Sequence, residues 1–144
     1  MPKAEGRVIE WKSEEAIQTG WLEVLPYQGE PQMITYTTEE FSAVCPFSGL
    51  PDYGRLTIRY VPNERLVELK SLKYYIVSFR QVGIYQENAL IRIYKDLTTL
   101  LNPRYLKVTL EYNQRGGIKA FCEKSNASDA FVEKLLHSHS IPEI

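Results

Sequence analysis

Residues 55–80 read RLTIRYVPNERLVELKSLKYYIVSFR, and this stretch decides the fold. Arg55–Val61 alternates apolar and polar residues, with Leu56, Ile58 and Tyr60 on one face, the period-2 signature of a half-buried strand. Pro62-Asn63-Glu64 is a turn, and Arg65–Leu69 is expected to return as the second arm of a hairpin. The period then changes. Over Ser71–Arg80, Leu72, Tyr75, Ile76 and Phe79 recur at helical spacing.

Working outward, Met33–Thr37 alternates and reads as a strand, and CPFSGLPDYG after it is a loop punctuated by Pro and Gly. From Asn88 to Leu101, Leu90, Ile91, Tyr94, Leu97, Leu100 and Leu101 follow a helix that Asn102-Pro103 ends. Tyr105–Tyr112 alternates strictly, Gly116-Gly117 turns the chain, and Ile118–Cys122 continues as a strand. Asp129–His137 adds a short helix before a loose tail, SIPEI. The expected class is α+β: an antiparallel four-stranded sheet in β-β-α-α-β-β order, with two consecutive helices on one face. Residues 1–30 form an N-terminal arm, irregular or briefly helical and packed on a neighbour. Residues 31–124 form one domain, and residues 125–144 a tail or short helix. One helix layer covers one sheet face, so the other face predicts a homo-oligomer.

The bulk composition narrows the function. The chain has 144 residues and a formal charge of -1, so it carries no electrostatic footprint for nucleic acid or membrane. No apolar run reaches the roughly 18 residues of a membrane span. MPKAEGRVIEWK lacks the apolar core of a signal peptide, so the expected compartment is the cytoplasm. The two cysteines, Cys45 and Cys122, form no disulfide framework, and no zinc spacing exists.

Four places could carry chemistry. Cys45 and Asp52 sit seven residues apart in a loop stiffened by two prolines and a glycine. A thiolate attacks an electrophilic carbon, and a nearby acid can protonate the atom left behind. A buried structural cysteine beside a turn aspartate would read the same way. Lys70 and Lys73 share a helical face beside a helix N-terminus, where a phosphate or plain solvent would suit them. Glu87, between the two helices, is either a guanine-type anchor or an acid favoured by the helix dipole. Arg115-Gly116-Gly117 is a turn with a cation at its tip.

Together these segments resemble the queuosine-pathway nitrile reductase family (QueF) of the tunnelling fold. Three blocks carry the resemblance: Glu40 to Asp52 (EFSAVCPFSGLPD), Val67 to Tyr75 (VELKSLKYY), and Asn102-Pro103-Arg104-Tyr105 with Arg115-Gly116-Gly117. The second matches the family signature E-[SL]-K-[SA]-x-K-[LY]-[YFW] at every position. The resemblance implies that Cys45 forms a covalent thioimide with the nitrile of 7-cyano-7-deazaguanine and that Asp52 donates a proton. It implies that Glu87, Gln86 and the backbone of Val67, Glu68 and Leu69 hold the base. Lys70, Lys73 and Arg115 would meet NADPH phosphates, and the product would be 7-aminomethyl-7-deazaguanine. It further implies a multimeric barrel, commonly a decamer of two stacked pentamers, acting on a free base with no nucleic acid or membrane partner. The family usually has His where this chain has Gln86, and an amide, unlike an imidazole, does not change charge near neutral pH. Two alternatives stand beside this reading: archaeosine-synthase-like amidine formation on tRNA with ammonia, and a non-catalytic purine- or pterin-binding protein.

Overall fold

A computed structural model of the chain describes residues 3–7 and 9–137. The SIPEI tail and His139 lie outside the described residues. Among the described residues, two short 3-10 turns (Glu14–Ala16 and Thr19–Trp21) precede nine strands and α-helices: β1 (Val24–Pro26), β2 (Ile34–Val44), β3 (Pro51–Val61), β4 (Arg65–Val67), α1 (Leu69–Val77), α2 (Gln86–Leu101), β5 (Tyr105–Tyr112), β6 (Phe121–Ser125) and α3 (Asp129–His137). The main sheet has strand order β2-β3-β5-β6, antiparallel throughout. The β-β-α-α-β-β order therefore holds, and the fold is α+β.

The membership of one strand differs from expectation. Arg65–Val67 is extended but does not form a hairpin with Arg55–Val61. It pairs with Val24–Pro26 in a separate two-stranded sheet. The reason is that β3 has only two edges, and β2 and β5 occupy both. The true hairpin is β2–β3. The β2 strand runs to Val44, beyond the alternating Met33–Thr37, because a bulge between Thr38 and Phe41 shifts the register. The loop shrinks to Cys45–Leu50 accordingly, and Pro51–Gly54 belong to β3. The last strand begins later than expected, at Phe121, because Arg115 and Ile118 bridge each other in the turn.

The core lies between one sheet face and the helices. Along β3 and β5, Leu56, Ile58, Tyr60, Leu106, Val108, Leu110 and Tyr112 are buried against Leu72, Tyr75 and Phe79 of the α1 segment and Ile93 and Leu97 of α2. Burying each such side chain is worth about 1.5–3 kcal/mol. The second helix begins at Gln86, two residues before the expected start, so Glu87 lies within its first turn and not between the helices. It ends at Asn102, whose φ of 43° is the left-handed conformation asparagine tolerates.

The N-terminal segment is woven into this core. Ile17 and Leu22 are buried in it, and the Glu23 amide donates to Ser71 Oγ at 3.0 Å. Asp96 of α2 accepts from Thr19 Oγ1 (3.0 Å), Tyr75 Oη (2.6 Å) and Arg92 Nε (3.0 Å), joining this segment to both helices.

The opposite sheet face is polar. Arg55, Thr57, Arg59, Lys107, Thr109 and Glu111 alternate with the core residues, and Arg55–Glu39 and Lys119–Glu111 pair there at 2.6 Å each. An antiparallel sheet can leave such a face in water, so apolar burial alone does not demand a partner on it. Among the described residues no helix is long and apolar enough to cross a membrane.

Candidate active site

Cys45 follows the last residue of β2 and opens the β2–β3 loop, which is closed by its own backbone. Its N–H donates to Leu50 O (2.9 Å), and the Gly49 N–H donates to Cys45 O (2.8 Å). Gly49 has φ +72°, and a Cβ there would come within 2.9 Å of Ile9 O, so glycine is required. The turn aims the Ser48 amide and hydroxyl at the sulfur. These hydrogen bonds, the Ser48 amide first, hold the Cys45 thiol below its ordinary value, while burial and the Asp52 charge oppose them. The thiol is half-buried and free. Val44 also pairs with Val82 and Ile84, which brings the start of α2 beside this loop.

Asp52 sits opposite Ala43 in the hairpin, its side chain turned to the helical side and only 9% exposed. Arg115, from the tip of the β5–β6 turn, reaches it: Nη1 lies 3.1 Å from Asp52 Oδ1. The guanidinium stacks 4.8 Å from the ring centre of Tyr112. Its Nη2 also donates to Gln86 Oε1 at 3.5 Å. Gln86 is buried, and its amide nitrogen donates to Leu110 O (2.9 Å) and Ala120 O (3.0 Å). Glu87 is exposed in the same helical turn. Cys122, on β6, has its thiol pushed up by burial and then by the Glu87 charge. Tyr112 Oη is buried with no hydrogen-bond partner among the described residues, and burial also pushes its hydroxyl up.

The other expected residues lie elsewhere. The Val67 N–H donates to Tyr60 Oη at 3.3 Å, and Tyr60 is eight residues along β3 from Asp52. At the rise of a strand that is about 27 Å. Glu68 caps α1 through its own carboxylate, which accepts from the amides of Lys70 (3.0 Å) and Ser71 (2.7 Å) and is held below the usual carboxylate range by them. The helix amides that would have met a phosphate are therefore occupied. Lys70 lines a cavity of about 500 Å³ with Trp21 and Tyr74, while Lys73 and Arg80 line a separate groove of about 420 Å³ between α1 and β2.

One chain thus brings together Cys45, Asp52, Gln86, Glu87 and Arg115, and sets Val67 against Tyr60 at the other end of β3, with Leu69 and Lys73 on the groove between α1 and β2. Two contributors escaped the sequence. Ser48 was visible three residues after Cys45, but its role depends on the turn. Tyr112 reads as a strand residue and gives no signal of its own.

A model of the QueF-like protein family matches residues 51–130. The chain belongs to the QueF-like family. Within that family, the NADPH-dependent 7-cyano-7-deazaguanine reductase of Thermotoga petrophila is 58% identical over 120 residues, covering 83% of this chain and 88% of its own. The protein of that name from Caldicellulosiruptor bescii is 54% identical over 106 residues, covering 72% and 81%. Among solved structures, the archaeosine synthase QueF-Like in its apo form matches with a TM-score of 0.63 at 22% identity, covering 67% of this chain and 95% of that one. That likeness shows the fold, the α+β tunnelling fold.

Proposed function

We propose that this chain is an NADPH-dependent nitrile reductase that converts 7-cyano-7-deazaguanine to 7-aminomethyl-7-deazaguanine in queuosine biosynthesis. The observation that carries the reading is the thiol of Cys45, lowered by Ser48 and set beside the Asp52 carboxyl group, in a family whose members above 50% identity bear the reductase name. Asp52 takes the Cys45 proton as sulfur adds to the nitrile carbon, the C≡N bond becomes C=N, and Asp52 passes that proton to the nitrogen. NADPH supplies the hydrides, two for each nitrile carried to an amine. Expulsion of the Cys45 thiolate between the two reductions frees the enzyme for the second.

Glu87 is the group for the N–H edge of the base. Lys70 and Lys73 form no ion pair among the described residues, and both are exposed beside grooves of nucleotide scale. Two ammonium groups without an ion pair, that of Lys70 lying 5.9 Å from the Tyr74 ring centre, fit a phosphate-bearing cofactor, with the lysine side chains rather than the capped helix amides as the donors. Because the Val67 amide meets Tyr60 Oη, eight residues along β3 from Asp52, a complete site draws its two halves from different copies. An assembly supports this. Among the described residues, no strand pairs with the outer edge of β2 from Ile34 to Ala43 or with that of β6. Edge-to-edge pairing of β2 with β6 would close a barrel, and two stacked pentamers are the form we propose. Exposed apolar side chains around Cys45, with Phe47 92% exposed, suit an interface of this kind. The enzyme acts on the free base in the cytoplasm, without contacting tRNA.

Intact-protein mass measurement after mixing with 7-cyano-7-deazaguanine tests the reading, with Cys45→Ala as control. An adduct that needs Cys45 and is discharged by NADPH to the amine is expected. An adduct that persists with NADPH but is released by ammonia would replace the reading with amidine formation.

A further inference from the structure

Gln86 was expected to touch the substrate, yet its side chain is turned inward and engaged at both ends. The amide nitrogen faces two carbonyl oxygens, Leu110 O on β5 and Ala120 O just ahead of β6. Two acceptors at hydrogen-bond distance require the –NH₂ end of the amide there, which fixes the carbonyl end toward Arg115. Leu110 and Ala120 bracket the turn that carries Arg115. Gln86 therefore clamps the root of that turn and contacts its tip.

We propose that Gln86 is a positioning residue: it holds the β5–β6 turn and Arg115 so that Arg115 keeps the Asp52 carboxyl group aligned for proton transfer. This rests on the reductase reading given above. Three contacts set the guanidinium: the Tyr112 ring face, Gln86 Oε1 and Asp52 Oδ1. The glutamine amide meets all of its demands at once, with two donors for the two carbonyls and one acceptor for the guanidinium. A neutral imidazole has one N–H and would leave one carbonyl without it. A charged imidazole has two N–H groups but no acceptor, and places a second cation beside Arg115. The amide is thus matched to the arginine that follows it in the fold, and its action on the chemistry passes through Arg115.

The test uses full-length, assembled protein carrying Gln86→Leu, Gln86→Asn, Arg115→Ala or Gln86→Leu with Arg115→Ala. Misplacement of a reacting group by about 1 Å can cost about 100-fold. Gln86→Leu is expected to lower kcat about 100-fold and Gln86→Asn, which is one methylene short, by a smaller factor. KM for 7-cyano-7-deazaguanine should stay within about threefold in both, since a group that acts only on the proton donor leaves ground-state binding alone. The double variant should be no slower than Arg115→Ala, because both changes break one chain of contacts. If Gln86→Leu does not assemble, Gln86→Asn and its combination with Arg115→Ala give the same comparison. A tenfold rise in substrate KM with kcat kept would make Gln86 a substrate contact and overturn the proposal. So would losses that multiply in the double variant, or an unchanged kcat. The unaltered chain separates the two readings: if it forms no Cys45 adduct and oxidises no NADPH, the reductase assignment falls and takes this proposal with it.

Discussion

Arg115 Nη1 lies 3.1 Å from Asp52 Oδ1, so the cation at the tip of one hairpin is the partner of the acid on another. Arg115 was expected at the cofactor phosphates; its ion pair with Asp52 is the contact on which the proposed positioning role rests. Replacing it with alanine should lower kcat by about 100-fold or somewhat more, at the low end of general acid–base contributions. KM for NADPH should change little. Steady-state kinetics with each substrate varied checks this, and a large rise in NADPH KM at constant kcat would return Arg115 to the cofactor.

The lowered Cys45 thiol makes a pH prediction. The thiolate is the reactive form, so alkylation by iodoacetamide follows the thiolate fraction. With the Ser48 hydrogen bonds in place, the rate for Cys45 should fall off at a lower pH than for an ordinary thiol. Ser48→Ala removes the hydroxyl contribution, and the midpoint should move up. Cys122, raised by burial and Glu87, should react slowly at the same pH. Peptide mapping after timed labelling distinguishes the two sites, and equal midpoints for both would sink the argument.

The helices and the inner strands were legible because their periods are clean. Leu72, Tyr75 and Phe79, and Leu90, Leu97 and Leu101, are buried as spacing requires. The β2 strand was cut short because the bulge beside Glu39 and Glu40 breaks the alternation that reveals a strand. Arg65–Val67 was recognised as extended, but pairing is a long-range choice, and nothing in RLVEL states that β3 has no free edge. The site shows the same division. Cys45 and Asp52 stand in one short sequence motif, whereas Arg115 reaches Asp52 through sheet register, and Gln86 reaches Arg115 through the packing of α2 on the β5–β6 hairpin.

Tyr75 tests the network that fixes the helices. Its ring is fully buried, and its hydroxyl donates to Asp96 at 2.6 Å. Tyr75→Phe removes a hydrogen bond to a charged group, worth about 1.5–3 kcal/mol. Tm should fall by about 5–10 °C, with kcat retained because Asp96 lies away from Cys45. Burial first, and then Asp96, hold the Tyr75 hydroxyl protonated well above its ordinary range. The folded chain therefore keeps a proton that the unfolded chain releases above about pH 10. That stability is present below this pH and is lost as pH rises beyond it, so Tm should drop at alkaline pH. The drop should be shallower in Tyr75→Phe, and calorimetry at several pH values checks both statements. Parallel alkaline curves would remove Tyr75 from the account.

The cofactor assignment rests on side chains alone, because Glu68 already occupies the first amides of α1. Lys70→Ala and Lys73→Ala should each raise KM for NADPH by about tenfold, roughly 1.4 kcal/mol of binding. Lys70→Met and Lys73→Met, which keep the stem and remove the charge, should lose about as much. Rising salt should weaken NADPH binding to the unaltered chain, since exposed charges are screened over about 8–10 Å at moderate ionic strength. Formation of the Cys45 adduct, which needs no NADPH, should proceed normally in all four variants. Fluorescence titration of NADPH, paired with adduct mass measurement, reads the two steps separately. Loss of the adduct together with NADPH affinity would mean that α1 shapes the nitrile pocket itself, and unchanged affinity in all four would place the phosphates on other residues.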